Sequence, residues 1–341
     1  MTSAPGKGSQ PSPMLFFETI RSLQSAFALK AAVEVDVFTA IAKNQGSVEE
    51  IAKSCGASER GTRILCDSLT ALGFLNKSNN TYSLTPDSAM FLDSRSPAYM
   101  GKAVRFMMHR DQFHNFEHLT DTVRTGKPHG STHLAPEDPI WLEFARGMAP
   151  LMFPAAQAIA QYLQKALAGV SAPRVLDIAA SHGMFGITIA QQNPKAQIYA
   201  LDWGNVLLVA EENARKMGVA DRHHLIPGSA FEAELGNGYD AVLVTNFLHH
   251  FSPATNESLL KRFFAAMNPG AKLVILEFVP NDDRVTPPPA ALFSLIMLAN
   301  TDEGDAYTFS QLSRMCSNAG FRDTQLLPLE ASPNMLVVAT R

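Results

Sequence analysis

From Met14 to Ala42 apolar residues recur at helical spacing (Leu15, Phe16, Ile20, Leu23, Phe27, Leu29, Val33, Val37, Ile41), which predicts one or two helices with more than one apolar face. So much apolar surface on one arm implies cover by a partner. Ser47 with Glu50 forms a capping box that opens a short helix, Gly56 stops it, Ser58 opens a second through Leu72, and Gly73 ends that. Phe74 to Lys77 and Thr81 to Leu84, on either side of Ser78-Asn79-Asn80, predict a β-hairpin. Helix, turn, helix, hairpin is the winged-helix order. Residues Pro97 to Gly126 and Asp138 to Ala168 predict two long helices, joined by a loop holding Gly126, Pro128, Gly130, Pro136 and Pro139.

After Pro173 the texture changes. Short apolar runs at Arg174 to Ile178, Gln197 to Leu201, His223 to Ile226, Tyr239 to Val244 and Lys272 to Phe278 alternate with helical patterns at Phe185 to Gln192, Val206 to Lys216, Ala254 to Met267 and Ala290 to Leu298. A helix from Ser310 to Ala319 and strands near Thr324 to Leu329 and Met335 to Ala339 follow. The expectation is an α/β domain: a mostly parallel sheet with helices on both faces.

Composition sharpens this picture and removes several classes. Charged residues are 18% of the 341, below the roughly 25% of typical globular chains, and many of the 21 Phe and 14 Met crowd between Met90 and Phe153. Such soft side chains fill irregular cores and line pockets for flat ligands. A net charge of −4 offers no general attraction to nucleic acid or anionic lipid. The winged-helix stretch itself carries four acids (Glu49, Glu50, Glu59, Asp67) against four bases (Lys53, Arg60, Arg63, Lys77), too balanced for a DNA-reading helix. Met1 to Pro13 is polar and expected to be a loose tail. The longest strongly apolar run, about Pro289 to Ala299, falls well short of the ~18 residues of a membrane span. Cys55, Cys66 and Cys316 are scattered, with no metal-ligand spacing, which fits a reducing cytoplasm.

In an open α/β sheet a ligand sits beyond the carboxyl ends of the strands. The first such turn is Asp177-Ile178-Ala179-Ala180-Ser181-His182-Gly183, whose small residues admit a ligand close to the backbone. The second strand ends at Asp202, 19 residues after Gly183, where a carboxylate commonly receives two ribose hydroxyls. The loop lacks a pyrophosphate-type Gly-x-Gly-x-x-Gly, so a nucleoside without phosphates fits better than a dinucleotide. The fourth strand runs into Leu248-His249-His250-Phe251, placing histidines at the same crevice, and the fifth ends at Glu277. Histidine is suited to proton transfer near neutral pH, and a carboxylate can orient it. Capping of the following helix is the plainer role for the histidine, and a salt bridge for the glutamate.

On these residues the chain, from about Leu15 to its end, resembles the small-molecule O-methyltransferases of the caffeate and acetylserotonin type, in a bacterial branch. The resemblance implies a Rossmann-like class I methyltransferase domain that binds S-adenosylmethionine, preceded by an α-rich winged-helix dimerisation domain. The family's Asp-x-Gly-Gly-Gly-x-Gly loop falls on Asp177 to Gly183, with Ala179, Ala180 and Ser181 in place of glycines. Its ribose-binding acid falls on Asp202, and its adenine-contacting segment on Gly228-Ser229-Ala230-Phe231, with Ser229 in place of the acid. Thr245 stands where a basic residue often precedes the catalytic motif. His249 takes the place of the general base and Glu277, 28 residues later, that of its first supporting glutamate; the second aligns with Ala306. The acceptor pocket is implied between the long helices and the sheet, with Phe144, Met148, Met152, Met297 and Asn300 as contacts. His109, His114 and His118 lie on the first long helix, where His114 and His118 share a face; exposed surface is their ordinary role.

The expected organisation is then a tail (1–13), a winged-helix-like dimerisation domain (14–96), a helical linker and acceptor-pocket region (97–170) and a cofactor domain (171–341). The expected activity is methyl transfer from S-adenosylmethionine to a hydroxyl of a small, aromatic metabolite. A homodimer through the N-terminal helices is expected, with no metal, nucleic acid or membrane partner. Carbon methylation of a 2-oxo acid, with His249, His250 and Asn300 near a metal, is one alternative, and a non-methylating enzyme on the same scaffold is another. A metabolite-responsive winged-helix regulator is the third.

Overall fold

The structure, a computed structural model, describes residues 10–44, 46–130, 132, 135, 137–330 and 332–341. Most of the expected tail and Pro136 of the expected loop lie outside the described residues. The chain divides into two compact units, Met1–Arg105 and Phe106–Arg341.

In the first unit, α1 (Met14–Glu34) and α2 (Val37–Ala42) precede α3 (Val48–Cys55) and α4 (Glu59–Ala71), the hairpin β1 (Leu75–Ser78) and β2 (Thr81–Leu84), and α5 (Pro86–Phe91). Capping sets these boundaries. Ser47 and Glu50 form the reciprocal capping box of α3, Gly56 ends it in a left-handed conformation, and the Ser58 hydroxyl accepts from Gly61 N–H at the start of α4. Phe38, Ile51, Leu69 and Tyr82 bring α2, α3, α4 and the hairpin onto one core. Most of α1 stays outside it: Leu15, Phe16, Ile20, Leu23 and Phe27 are all exposed, Leu15 by 68%.

Residues 97–126 depart from the single long helix the spacing predicts. They form α6 (Gly101–Met107), α7 (Arg110–Glu117) and α8 (Leu119–Thr125). His109 breaks the first pair: its backbone is extended and its Nδ1 accepts the Asp111 N–H at 3.3 Å, making it the N-cap of α7. His118 leaves the helical conformation (φ −96°, ψ 14°) and separates α7 from α8. A histidine cap has no strong sequence signature, so the apolar spacing ran through both breaks. The second long helix is continuous as α9 (Pro139–Ala166), capped by Asp138, with Pro150 and Pro154 inside it.

The second unit continues with β3 (Arg174–Ile178), α10 (Met184–Gln192), β4 (Gln197–Asp202), α11 (Gly204–Lys216), β5 (His223–Pro227), β6 (Tyr239–Thr245), α12 (Pro253–Ala266), β7 (Met267–Glu277), α13 (Pro288–Asn300), α14 (Phe309–Asn318), β8 (Arg322–Pro328) and β9 (Met335–Thr340). One seven-stranded sheet has the order β5-β4-β3-β6-β7-β9-β8. Strands β3 to β7 are parallel, and β9 pairs antiparallel with β7 and β8.

Side chains alternate across this sheet. Leu176, Ile178, Val242 and Val244 join Phe263 and Leu312 in one core. Val175, Ala241, Leu243 and Leu276 join Ile159 and Leu163 of α9 and Ile187 of α10 in the other. Burial on both faces explains why these strands read as near-continuous apolar runs. The chain order leaves β3 in both directions, to β4 and to β6, and that switch point opens a crevice at their carboxyl ends.

Candidate active site

The loop after β3 forms one wall of the crevice. Ala179 (φ 52°) and Ser181 (φ 53°) both take the left-handed conformation that favours glycine. This is where the family loop has glycines; the small side chains keep the turn at some conformational cost. Gly183 (φ 73°) opens α10, and a Cβ there would lie 2.9 Å from the Ala210 Cβ of α11, so the turn is closely packed as well as left-handed. His182, buried behind the loop, accepts the Met184 N–H at Nδ1 (3.1 Å), and burial pulls its pKa down to about 4.

Two carboxylates lie beneath. Asp177 is fully buried; its Oδ2 accepts the Gly186 N–H at 3.2 Å, while Oδ1 has no hydrogen-bond partner. Burial pushes its pKa up to about 7, the Gly186 hydrogen bond opposes this, and the neighbouring Asp202 charge adds to it. Asp202, at the tip of β4, accepts Ser181 N–H at Oδ2 (2.8 Å) and Trp203 N–H at Oδ1 (2.7 Å). Burial raises its pKa to about 6 against those two bonds. The Ser181 hydroxyl is also buried without a partner.

A buried carboxylate that holds its proton more tightly folded than unfolded loses stability as pH rises from the unfolded to the folded pKa, here from about 4 to about 7 for Asp177. His182 and His223, both lowered to about 4, run the other way: they gain stability between about pH 4 and 6.5. Asp177→Asn keeps an acceptor for Gly186 and removes the charge. It is expected to raise thermal stability at pH 8, by an amount on the order of a few kcal/mol at most, and to leave it unchanged at pH 4. Melting curves of the two proteins at both pH values check this.

The Gly228 N–H bonds to the Asp202 carbonyl at 2.9 Å, bringing the segment after β5 beside β4. There Ser229 accepts the Phe231 N–H at 3.2 Å, Ala230 is buried, and Phe231 is half exposed with its ring 5.2 Å edge-on from Phe251. Thr245, the last residue of β6, is buried. Together the left-handed loop, the carboxylate at a strand tip and the exposed Phe231 form a surface suited to a nucleoside, with the unpartnered Asp177 oxygen and Ser181 hydroxyl buried behind it.

Beyond β6 the chain turns at Asn246 (φ 50°) into Leu248-His249-His250. Glu277 at the end of β7 accepts three hydrogen bonds: Phe247 N–H at 3.0 Å and His249 N–H at 3.3 Å on Oε1, and the His249 ring on Oε2, with Nδ1 at 2.6 Å. Both side chains are buried. With Nδ1–H donated to the carboxylate, the lone pair of the ring lies on Nε2. The 28-residue spacing thus reflects the adjacency of β6 and β7 in the sheet.

Around this pair stand residues that sequence spacing does not reveal. The Phe293 ring of α13 meets His249 edge-on at 4.9 Å and stacks on Phe278 at 4.1 Å. The Trp141 ring meets His250 at 5.5 Å, and burial holds the His250 pKa well below its ordinary value. Asp305 N–H bonds to the His249 carbonyl at 3.0 Å, and a Cβ on Gly304 would lie 2.2 Å from that same oxygen. Ala306, where the second glutamate aligns, is fully buried and offers no carboxylate. Tyr307 donates its hydroxyl to the Phe251 carbonyl.

The five expected acceptor contacts are distributed less simply. Phe144 packs edge-on against Trp141 (5.9 Å) and Phe106 (4.9 Å), so a line of rings connects it to His250 and His249. Met152 approaches Asn246, with Nδ2 to Sδ 3.6 Å, and Asn334 donates to the Asn246 Oδ1 at 3.1 Å. Met148 is partly buried on α9, and Met297 is buried on α13. Asn300 turns its amide to Asn115 and to the Ile296 carbonyl.

Comparison with known proteins gives the same picture from outside. A family model for the O-methyltransferase domain matches residues 116–322, and one for the O-methyltransferase dimerisation domain matches residues 17–94. The chain is 28% identical over 319 residues to the tetracenomycin polyketide synthesis 8-O-methyl transferase of Streptomyces glaucescens, covering 92% of each. It is 28% identical over 341 residues to the 3-hydroxy-5-methyl-1-naphthoate 3-O-methyltransferase of Streptomyces sahachiroi, covering 98% of this chain and 97% of that one. A crystal structure from Nostoc punctiforme, provisionally assigned as an O-methyltransferase, superposes with a TM-score of 0.92 at 48% identity, covering 98% and 100% of the two chains. With both domains matched in order and the sheet built accordingly, this chain belongs to the S-adenosylmethionine-dependent O-methyltransferase family.

Proposed function

We propose that the protein transfers the methyl group of S-adenosylmethionine to a hydroxyl of a small aromatic metabolite, with His249 as general base. The observation that carries this reading is the buried His249–Glu277 pair, 2.6 Å apart, beside the strand-tip crevice. S-adenosylmethionine, when bound, supplies a methyl group already activated on a sulfonium sulfur. Asp177, Asp202, the 179–183 loop with Gly183, and the Ser229, Ala230, Phe231 and Thr245 positions would hold it. His249 Nε2 takes the acceptor's hydroxyl proton, so the oxygen attacks as a developing oxyanion, and Glu277 stabilises the imidazolium that results. Aligning the acceptor with the methyl carbon supplies several kcal/mol more. Phe144, Met148, Met152, Met297 and Asn300 are the proposed acceptor contacts, to which the geometry adds Phe293 and Trp141.

The aromatic lining supports a flat acceptor, and the naphthoate relative acts on one by its name. Calorimetry with S-adenosylmethionine followed by a mass screen of phenolic acceptors tests the proposal. One bound cofactor per chain and a mass gain of one CH₂ unit on a phenol are expected; no cofactor binding would sink it.

We also propose that α1 docks against a second copy of the chain, giving a homodimer. Its exposed Phe16 and Leu23 (64% and 51%) lie in or near the dimerisation-domain match that begins at residue 17. Sedimentation should give a dimer mass, and Phe16→Asp with Leu23→Asp should shift it toward monomer; a monomeric parent protein would contradict the proposal. Three unpaired cysteines, two of them buried, support a cytoplasmic setting, and among the described residues no helix is long and apolar enough to cross a membrane.

A further inference from the structure

Away from the crevice, three histidines converge from two parts of the chain. His114 and His118 stand one turn apart at the end of α7, and His129 comes from the loop after α8. One ring nitrogen from each lies within 4.8 Å of the others. His118 and His129 stack face to face, centroids 3.7 Å apart and planes within 15°, and His114 meets His118 at 4.7 Å. Among the described residues no hydrogen bond ties the ring nitrogens of His118 or His129, and the Glu117 carboxylate lies 3.7 Å from His114 Nδ1.

We propose that His114, His118 and His129 bind one borderline divalent cation of the zinc, cobalt(II) or nickel(II) kind, with a fourth position for water or the Glu117 carboxylate. Three imidazoles are the donor set such ions favour over magnesium or calcium. The stacking of His118 and His129 holds two of these rings side by side at one spot. Zinc–nitrogen bonds of about 2.0–2.1 Å in a tetrahedron put the nitrogens about 3.3 Å apart. His114 and His129 are exposed and His118 is partly so, which leaves their side chains room to turn from within 4.8 Å toward that spacing.

The backbone itself is well placed. Gly130 is pressed against α7, where a Cβ would lie 2.2 Å from Asn115 Oδ1, so His129 is held against the helix by the residue that follows it. Asn115 in turn donates to Asn300 at the end of α13, the helix that carries Phe293. A bound cation would clamp the loop after α8 onto α7 and stiffen the support beneath α13. This site lies on separate residues from the His249–Glu277 pair and does not depend on the methyl-transfer reading.

The test uses the untagged full-length protein, stripped with chelator and titrated with cobalt(II) and, in parallel, zinc. The expected result is one equivalent bound, visible cobalt absorption without the sulfur charge-transfer band that Cys55 would give, and a raised melting temperature. His118→Ala and His129→Ala should each weaken binding by about tenfold or more, as losing a ligand or its support does. His224→Ala, at an exposed histidine on β5, should leave binding unchanged. Matching melting curves of the metal-free variants show that they fold. No stoichiometric uptake, or uptake retained in both His118→Ala and His129→Ala, overturns the proposal.

Discussion

Replacing His249 with Ala is expected to lower kcat by about 10²- to 10⁴-fold, the usual range for a lost general base and equivalent to about 3–5 kcal/mol of barrier. Cofactor affinity should stay within a few-fold, because the proposed cofactor residues stand on β3 and the loop after it, at the end of β4, on the segment after β5 and, at Thr245, at the end of β6, rather than on the His249 turn itself. The pH profile separates a base from a merely structural residue. A phenol ionises without help above its own pKa, so the gap between variant and parent should narrow there. Glu277→Gln tests the pairing. An amide facing Nδ1 would favour the tautomer with the proton on Nε2, and that nitrogen could no longer accept one; a fall of about 10²-fold or more is expected. Two backbone N–H groups, of Phe247 and His249, still need the remaining oxygen, so this variant should also melt lower. Steady-state rates across pH, with calorimetric cofactor affinities, decide the matter, and unaltered turnover in His249→Ala would remove it as base.

The parallel sheet was legible because its strands bury both faces, so each reads as a compact apolar run bounded by helical spacing. The helix-helix-hairpin order of the first unit was equally plain, since Ser47, Gly56 and Ser58 mark their ends with side chains that act locally. The stretch from 97 to 126 was not. Its breaks depend on the backbone of His109 and His118, whose residue type gives no such mark.

The site divides the same way. Asp177, Gly183, Asp202 and Glu277 stand at strand ends or turns whose positions follow from strand periodicity, and the tie between His249 and Glu277 follows from neighbouring strands. Phe293, Trp141 and Gly304 come from helices or loops remote in sequence, and only packing brings them to the pair. Gly304 alone carried a faint signal, a glycine two residues before the missing second glutamate at Ala306. The loss of that glutamate leaves Glu277 as the carboxylate hydrogen-bonded to the His249 ring. The His250 ring packs directly against that of His249, 4.3 Å away.

Asp202→Ala is expected to weaken S-adenosylmethionine binding by about 10²-fold or more, since two hydrogen bonds to a charged acceptor are worth about 1.5–3 kcal/mol each. The carboxylate already receives Ser181 and Trp203 N–H, one on each oxygen, which leaves a free lone-pair direction on each for a ribose hydroxyl. Alanine removes those acceptors and leaves both N–H groups seeking water, so the apo protein should also lose some stability. Asp202→Asn separates charge from shape: it fills the same space, offers one acceptor and does not ionise. Because the Asp202 pKa is raised to about 6 by burial, the ionised form that best accepts hydroxyls is the majority above that pH and the minority below it. Affinity in the parent should therefore fall as pH drops below about 6, toward tenfold per unit, before cofactor binding itself pulls the proton off. Asp202→Asn should bind more weakly at pH 8 yet lose less on acidification; because the Asp202 charge helps raise the Asp177 pKa, Asp177 should also titrate at lower pH in this variant. Calorimetric titrations at pH 5.5 and 8 compare the two proteins, and equal acid sensitivity would show that Asp202 does not hold the ribose.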